Sequence, residues 1–234
     1  MDFTGKTAAI AGATGGLGSV VTKSLGAAGM RLALMGRSQD RLQQLVTELN
    51  LPGEQVFTAE IDLTEAEGLP KIAGAVQEKF GRTDVLLNMV GGWIGGKTLL
   101  EAKPADFREM LDQQLWVTLN LVQAFLPAMQ QNNFGRVIVI SSPTATKPKA
   151  KSGPYAVGKA AQDTLMMTLA AELEGTGVTA NVIQVHSIDT ENKRAADPEK
   201  YARWTTPEEI AAAIEYLISE AGGRVNGARL PLFS

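Results

Sequence analysis

The chain has no cysteine and a single histidine, His186. Disulfides and thiolate catalysis are therefore excluded, and a zinc site could draw only on His186 and carboxylates. No 18-residue apolar stretch is present to span a bilayer. The first 30 residues lack the order of a secretory leader: no cationic segment precedes a long apolar one, and glycine and threonine break the first apolar run. Charge of one sign is nowhere concentrated. Lys and Arg number 22 against 25 Asp and Glu, a formal net charge of -3, with no basic patch for nucleic acid and no acidic tail. Repeats, low-complexity tracts and Pro/Gly-rich linkers are missing too. The expectation is a soluble cytoplasmic protein, one domain over residues 1–234, with no metal, nucleic acid or membrane partner.

What is present is alternation. Apolar, strand-like runs at 6–12, 31–36, 54–60, 84–90, 135–141, 178–185 and 227–231 alternate with helical patterns at 16–29, 39–50, 65–80, 104–132, 154–175 and 207–221. This spacing predicts an α/β fold: a parallel sheet of about seven strands with helices on both faces. Continuous apolar runs such as Val137-Ile-Val-Ile140 suit strands buried on both faces. Caps support the helices: Ser38 before 39–50, Thr64 with Glu67 in a capping box before 65–80, and Thr206 ahead of Pro207.

The first strand runs into Gly12-Ala-Thr-Gly-Gly16-Leu-Gly18 and then a helical pattern. Strand, glycine-rich turn and helix are the setting for a dinucleotide diphosphate, with helix amides and the positive dipole end facing the phosphates. The turn residues Gly12, Thr14, Gly16, Leu17 and Gly18 are the cofactor candidates here. Far along the chain, Tyr155 and Lys159 stand four apart on a helix and so share a face, with Ser142 thirteen residues upstream of the tyrosine. A free phenol ionises near pH 10, and a neighbouring ammonium favours the phenolate, so the pair predicts a tuned acid/base. Such a pair also arises by chance on solvated helices; the glycine turn is what gives it weight. Candidate site residues also follow each strand in turn, where ligands bind in a parallel sheet.

In this order, Gly12-x-x-x-Gly16-x-Gly18, Asp62-Leu-Thr, Asp84-Val-Leu-Leu-Asn88-Met-Val-Gly91, Gly135 to Ser142, Tyr155-x-x-x-Lys159 and Asn181 resemble the short-chain dehydrogenase/reductase family over essentially the full length. The resemblance implies a single doubly wound Rossmann-like domain that binds NAD(H) or NADP(H). It implies hydride transfer between the nicotinamide and a carbonyl, alcohol or conjugated imine. Tyr155 would be the general acid/base, Lys159 would lower its pKa and bind the nicotinamide ribose, and Ser142 would orient the substrate. Asp62 and Leu63 would lie near the adenine, Asn88, Val90 and Gly91 near the ribose, and Ile188 and Thr190 near the nicotinamide carboxamide. Homodimers or homotetramers built by pairing of the long helices are also implied.

The chain departs from the family pattern in three places. Gln114 replaces the helix asparagine that helps hold a proton-relaying water next to the lysine. Met89-Val90 replaces Asn-Ala, and Val185-His186 replaces Pro-Gly. The segments around Trp93, Gln113 to Trp116 and Ile188 to Arg194 are similar to those of the dihydropteridine reductase branch, which has a short substrate lid like the one expected at 187–204. A non-catalytic NADP(H)-binding sensor or scaffold is the alternative of another class.

At the end of the second strand, Gly36-Arg37-Ser38 offers no carboxylate to repel a 2′-phosphate, and Arg37 and Ser38 can bind one, which predicts a preference for NADP(H) with NAD(H) still possible. Trp93 is either a flat wall for a planar substrate or ordinary core, and Ser187 is a further substrate candidate. His186 reads as structural or pocket-lining. The charged segment Glu191 to Arg203 reads as a solvated, mobile lid.

Overall fold

The computed structural model describes residues 1–233. Its elements alternate as the sequence predicts: β1 Thr7–Ala11, α1 Gly16–Ala27, β2 Arg31–Gly36, α2 Gln39–Leu49, β3 Val56–Glu60, α3 Leu69–Phe80 and β4 Val85–Asn88. Then come α4 Pro104–Leu111, α5 Val117–Gln131, β5 Gly135–Ser141, α6 Gly153–Glu172, β6 Val178–Gln184, β7 Ser187–Ile188, α7 Lys193–Ala196, β8 Trp204–Thr205, α8 Pro207–Ile218 and β9 Arg229–Pro231. Seven strands form one parallel sheet in the order β3-β2-β1-β4-β5-β6-β9.

Strand parity divides the core. Ile10, Leu34, Leu87, Ile138 and Ile183 pack on one face with Val21 and Leu25 of α1 and Ile214 of α8. Ala9, Met35, Leu86, Val137 and Val182 pack on the other with Val76 of α3, Phe125 of α5 and Met166 of α6. Both faces are covered, so β1, β4, β5 and β6 are buried along their whole length. The chain winds outward from β1 to β3, then returns to lay β4 against the other side of β1. The carboxyl ends of β1 and β4 therefore bound a crevice at the point where the winding reverses, the place where such sheets bind ligands. Asn181, one of the family-like positions, ties the far edge: its amide donates to the Val225 carbonyl (2.7 Å) and its oxygen accepts from the Ala228 N–H (3.0 Å).

Two local expectations are corrected. Thr64 does not cap α3. Its N–H and hydroxyl both donate to Asp62 Oδ1 (3.0 and 2.8 Å), a 3₁₀ turn intervenes at Ala66–Gly68, and α3 begins after Gly68 with no side-chain cap. Asp62 wins because its carboxylate closes a local turn with both donors at once. The pattern at 104–132 is not one α-helix: a π-helical turn, Asp112–Trp116, separates α4 from α5. The Glu191 to Arg203 segment is largely exposed but carries local structure at its borders. β7 pairs with β8, Asp189 accepts from the Lys193 and Arg194 amides (2.7 and 2.8 Å), and Arg194 forms an ion pair with Glu209 of α8 (2.8 Å). Ser38 caps α2 and Thr206 caps α8, the latter in a capping box with Glu209.

Candidate active site

The glycine turn can take a diphosphate. Gly12 has φ +79°, which a side chain would strain, and a Cβ on Gly18 would stand 2.0 Å from the Gly12 carbonyl oxygen. α1 starts from Gly15 with no side-chain cap and no acid in its first turn, so its leading amides are open to an anion. Thr190 reaches this turn from the lid; a Cβ on Gly16 would lie 2.7 Å from its methyl carbon. Leu17 is buried in the core, leaving only its backbone for a ligand.

Beside the turn lies a cleft of about 770 Å³. Gly12, Thr14, Arg37 and Ser38 line one side, Asp62 and Leu63 the floor, and Val90 and Gly91 the far wall. Arg37 is exposed and makes no salt bridge among the described residues. The Thr64 hydroxyl and amide hold the Asp62 carboxyl below its ordinary range, and the Arg37 charge adds to this. Arg41, which the sequence did not single out, donates to the Thr14 carbonyl (2.6 Å) and brings a second guanidinium to the cleft. It lies three residues after the Ser38 cap, a spacing that could have marked it. Asn88 does not line the cleft: it is buried, its amide donating to Thr118 Oγ1 (2.9 Å) and its oxygen accepting from the Val90 N–H (2.9 Å). It shapes the wall from behind.

β5 ends at Ser141 and hands on Ser142, and α6 presents Tyr155 in its first turn and Lys159 one turn later. Ser142 is buried. Its hydroxyl donates to Thr144 Oγ1 (3.1 Å) and accepts from the Thr144 N–H (3.2 Å). The Tyr155 phenol is pushed above its ordinary pKa by burial; the Ser142 hydroxyl pulls it back, and the Asp163 charge opposes that. Tyr155 is therefore held protonated more firmly than a free phenol, opposite to the expected lowering by Lys159. The ammonium is committed elsewhere: Lys159 Nζ donates to the Ile140 carbonyl (2.7 Å) and to Gln162 Oε1 (3.0 Å). Burial lowers the Lys159 pKa to about 7, with the Asp163 charge working against the drop.

Asp163 was not legible as a site residue, yet it ties α6 to the sheet beside Ser142. Its carboxylate accepts from Ser141 Oγ (2.5 Å), Gln184 Nε2 (3.1 Å) and Arg229 Nε (3.2 Å). Gln114 lies in the π-helical turn with its side chain under the glycine loop: Nε2 is 3.5 Å from the Gly92 carbonyl, and buried Oε1 has no partner among the described residues. Its amide does not reach Lys159.

Trp93 is 65% exposed, which rules out a core role, and its ring lies over Gly95. Ser187 and Ile188 form β7 and are half-buried. His186 stacks on Phe233 with ring centroids 4.5 Å apart, and no cluster of metal-ligating side chains occurs among the described residues. No helix among them is long and apolar enough to cross a membrane.

The comparisons agree with this layout. A "Short chain dehydrogenase" from Pseudocercospora fijiensis is 33% identical over 188 residues, 80% of this chain and 61% of that protein. The chain thus spans under two thirds of that relative's length. A short-chain type dehydrogenase/reductase from Mycobacterium ulcerans superposes with TM-score 0.90 at 25% identity, covering 99% of this chain and 90% of that one. The closed form of a serine dehydrogenase complexed with NADP+ superposes with TM-score 0.84 at 26% identity, covering 97% and 94%. Residues 6–200 match the family described as short chain dehydrogenase. With a glycine turn on β1, a serine after β5 and a Tyr-x-x-x-Lys helix on a seven-stranded parallel sheet, this chain belongs to the short-chain dehydrogenase family of oxidoreductases.

Proposed function

We propose that the protein is an NADP(H)-dependent reductase of a C=O group or a conjugated imine, working reversibly on the corresponding alcohol or amine. One observation carries this reading: Ser142 and Tyr155 meet at the carboxyl edge of β5, with a buried lysine one turn behind, next to a glycine turn built for a diphosphate. When bound, the nicotinamide supplies or accepts hydride. The chain's own residues do the rest. The Ser142 hydroxyl turns from Thr144 to hold the acceptor oxygen or nitrogen. Tyr155 donates its phenolic proton to that atom as the reduction proceeds, a general-acid contribution of about 10²–10⁴ in rate. Lys159, with two N–H bonds given to Ile140 and Gln162, has a third to offer the ribose. The amides of the Gly12–Gly18 turn take the diphosphate, Asp62 and Leu63 border the adenine, Val90 and Gly91 the ribose, and Ile188 and Thr190 the carboxamide. Trp116 and Val157, 48% and 44% exposed on the 104–131 and α6 helices, supply apolar surface for pairing of subunits into a dimer or tetramer.

Stopped-flow or steady-state NADPH oxidation against quinones, diketones, oxoacyl thioesters and quinonoid dihydropterin tests the reading. Turnover on at least one acceptor is expected. Cofactor binding without turnover on any of them would favour the sensor instead. The exposed Trp93 face suits a flat acceptor, which is what the dihydropterin arm of the panel tests.

Cofactor preference rests on Arg37. Its guanidinium can pair with a 2′-phosphate, and charge-assisted hydrogen bonds of this kind contribute about 1.5–3 kcal/mol. Arg37→Asp is expected to cut kcat/KM for NADPH by about 10–100-fold, by that arithmetic, and to leave NADH equal or better. A wild type that prefers NADH would overturn the assignment.

A further inference from the structure

Behind the catalytic face, buried side chains form a hydrogen-bonded chain. Lys159 Nζ donates to Gln162 Oε1 (3.0 Å), and Gln162 Nε2 donates to Thr118 Oγ1 (3.0 Å). The Thr118 hydroxyl donates to the backbone carbonyl of Gln114 (2.5 Å) and also accepts from Asn88 Nδ2 (2.9 Å). Gln162 is fully buried, and Thr118, Asn88 and Lys159 are at most 5% exposed. The Gln114 carbonyl belongs to the π-helical turn, whose wider hydrogen-bond pattern frees carbonyls for side-chain partners. Thr118 thus gives one hydrogen bond and accepts two, the full capacity of a hydroxyl.

We propose that Gln162 is a positioning residue that, with Thr118, fastens Lys159 to the Gln114 carbonyl through side chains alone. This deepens the reductase reading, on which only its catalytic consequence rests. A water or a hydroxyl can take a proton on one side and release another. A primary amide cannot do so without passing through an unfavourable tautomer, so the link holds the ammonium without conducting its proton. The link also accounts for a polar residue on a helix face where Ala156, Lys159 and Met166 are otherwise packed into the protein: Gln162 satisfies an ammonium that Ile140 alone would leave under-bonded.

The test has one arm that needs no catalysis. In protein labelled with ¹⁵N-lysine and free of cofactor, the Lys159 ammonium is followed by NMR against pH; Asp163 and Tyr155 are the ionisable groups on α6 nearest it and stay unchanged. Gln162→Glu places a carboxylate on Nζ and is expected to raise the midpoint by on the order of one unit. Gln162→Leu removes the acceptor and is expected to lower it, with Thr118→Val lowering it less. A high-resolution crystal structure of the wild type is expected to show the Gln162 amide on Nζ and no water between Nζ and the Gln114 carbonyl, with one entering in Gln162→Ala. A midpoint unmoved in both Gln162→Glu and Gln162→Leu, or a bridging water in the wild type, overturns the proposal. Where turnover exists, the pH profile of kcat should shift with the NMR midpoint while KM for the acceptor holds, and a profile indifferent to these variants also overturns it. Absent turnover on every acceptor would instead sink the reductase reading and leave the NMR and crystallographic arms decisive for Gln162.

Discussion

Tyr155→Phe is expected to lose about three orders of magnitude in kcat while still binding cofactor. The substitution removes one oxygen and leaves the ring, so α6 keeps its packing and Lys159 keeps its bonds to Ile140 and Gln162. The size of the loss follows from the proton: without the phenol, no acid stands beside Ser142, and the hydroxyl of Ser142 is too weak a donor to replace it. Dissociation constants for NADPH from fluorescence titration should change by no more than a few-fold, which separates chemistry from folding. Turnover within about ten-fold of wild type would remove Tyr155 from the mechanism. The pH dependence has a definite sign. Burial raises the phenol's pKa, so loss of the proton donor makes reduction decline on the alkaline side, above the step that follows Lys159 at about 7. In the reverse direction the phenolate is the working form, and the rate should climb with pH over the same range.

The second large effect is on stability. Asp163→Leu is expected to cost about 3–5 kcal/mol, because a buried charge partner is lost and Ser141, Gln184 and Arg229 keep donors with nothing to receive them. Three strands, β5, β6 and β9, lose their tie to α6 at one atom pair. Urea unfolding should show the midpoint falling with little change in slope. Asp163→Asn, which keeps the shape and drops the charge, should cost less than the leucine variant and should lower the Lys159 pKa further, since the Asp163 charge is what holds it up. A loss under about 1 kcal/mol in Asp163→Leu would mean that the carboxylate is not the anchor it is drawn to be.

The strands and the glycine turn were legible in the sequence because their signals are local. A run such as Val137 to Ile140 suits burial on two faces in the middle of a parallel sheet, Gly12 and Gly18 stand where backbone approaches backbone, and Gly16 where the Thr190 side chain closes in. Arg37, Ser38, Asp62 and Gly91 reach a common cleft because all follow strands of one sheet. The miss at Asn88 has a simple cause: a residue at a strand end has two directions to face, and periodicity does not say which. Asp163, Gln162 and Thr118 were invisible for a related reason. Apart from Lys159 for Gln162 and the Gln114 carbonyl for Thr118, their partners lie between 21 and 66 residues away along the chain, so their roles exist only once α6 has docked on the sheet and on α5. A weak clue was present, since Gln162 and Asp163 are polar residues on a helix whose other core-facing positions are mostly small or apolar. Four-residue spacing placed Tyr155 and Lys159 on one helix, but it did not show that the ammonium bonds to Ile140 and Gln162, because spacing fixes the face of a helix and not which neighbour a flexible ammonium will choose.

The π-helical turn at Asp112–Trp116 has one more consequence. An α-helix advances about 100° per residue, so one residue more or fewer turns everything downstream through most of a right angle or beyond. The stretch before the turn gives Ala105, Arg108 and Glu109 to the cleft, and the turn itself adds Asp112 and Gln113; the stretch after it gives Leu121, Phe125 and Met129 to the core. The two halves are geared to each other by that single extra residue. Within this helix pair, length is therefore guarded more tightly than identity: many substitutions can be absorbed, but deleting one residue would rotate either the cleft wall or the core ridge out of mesh.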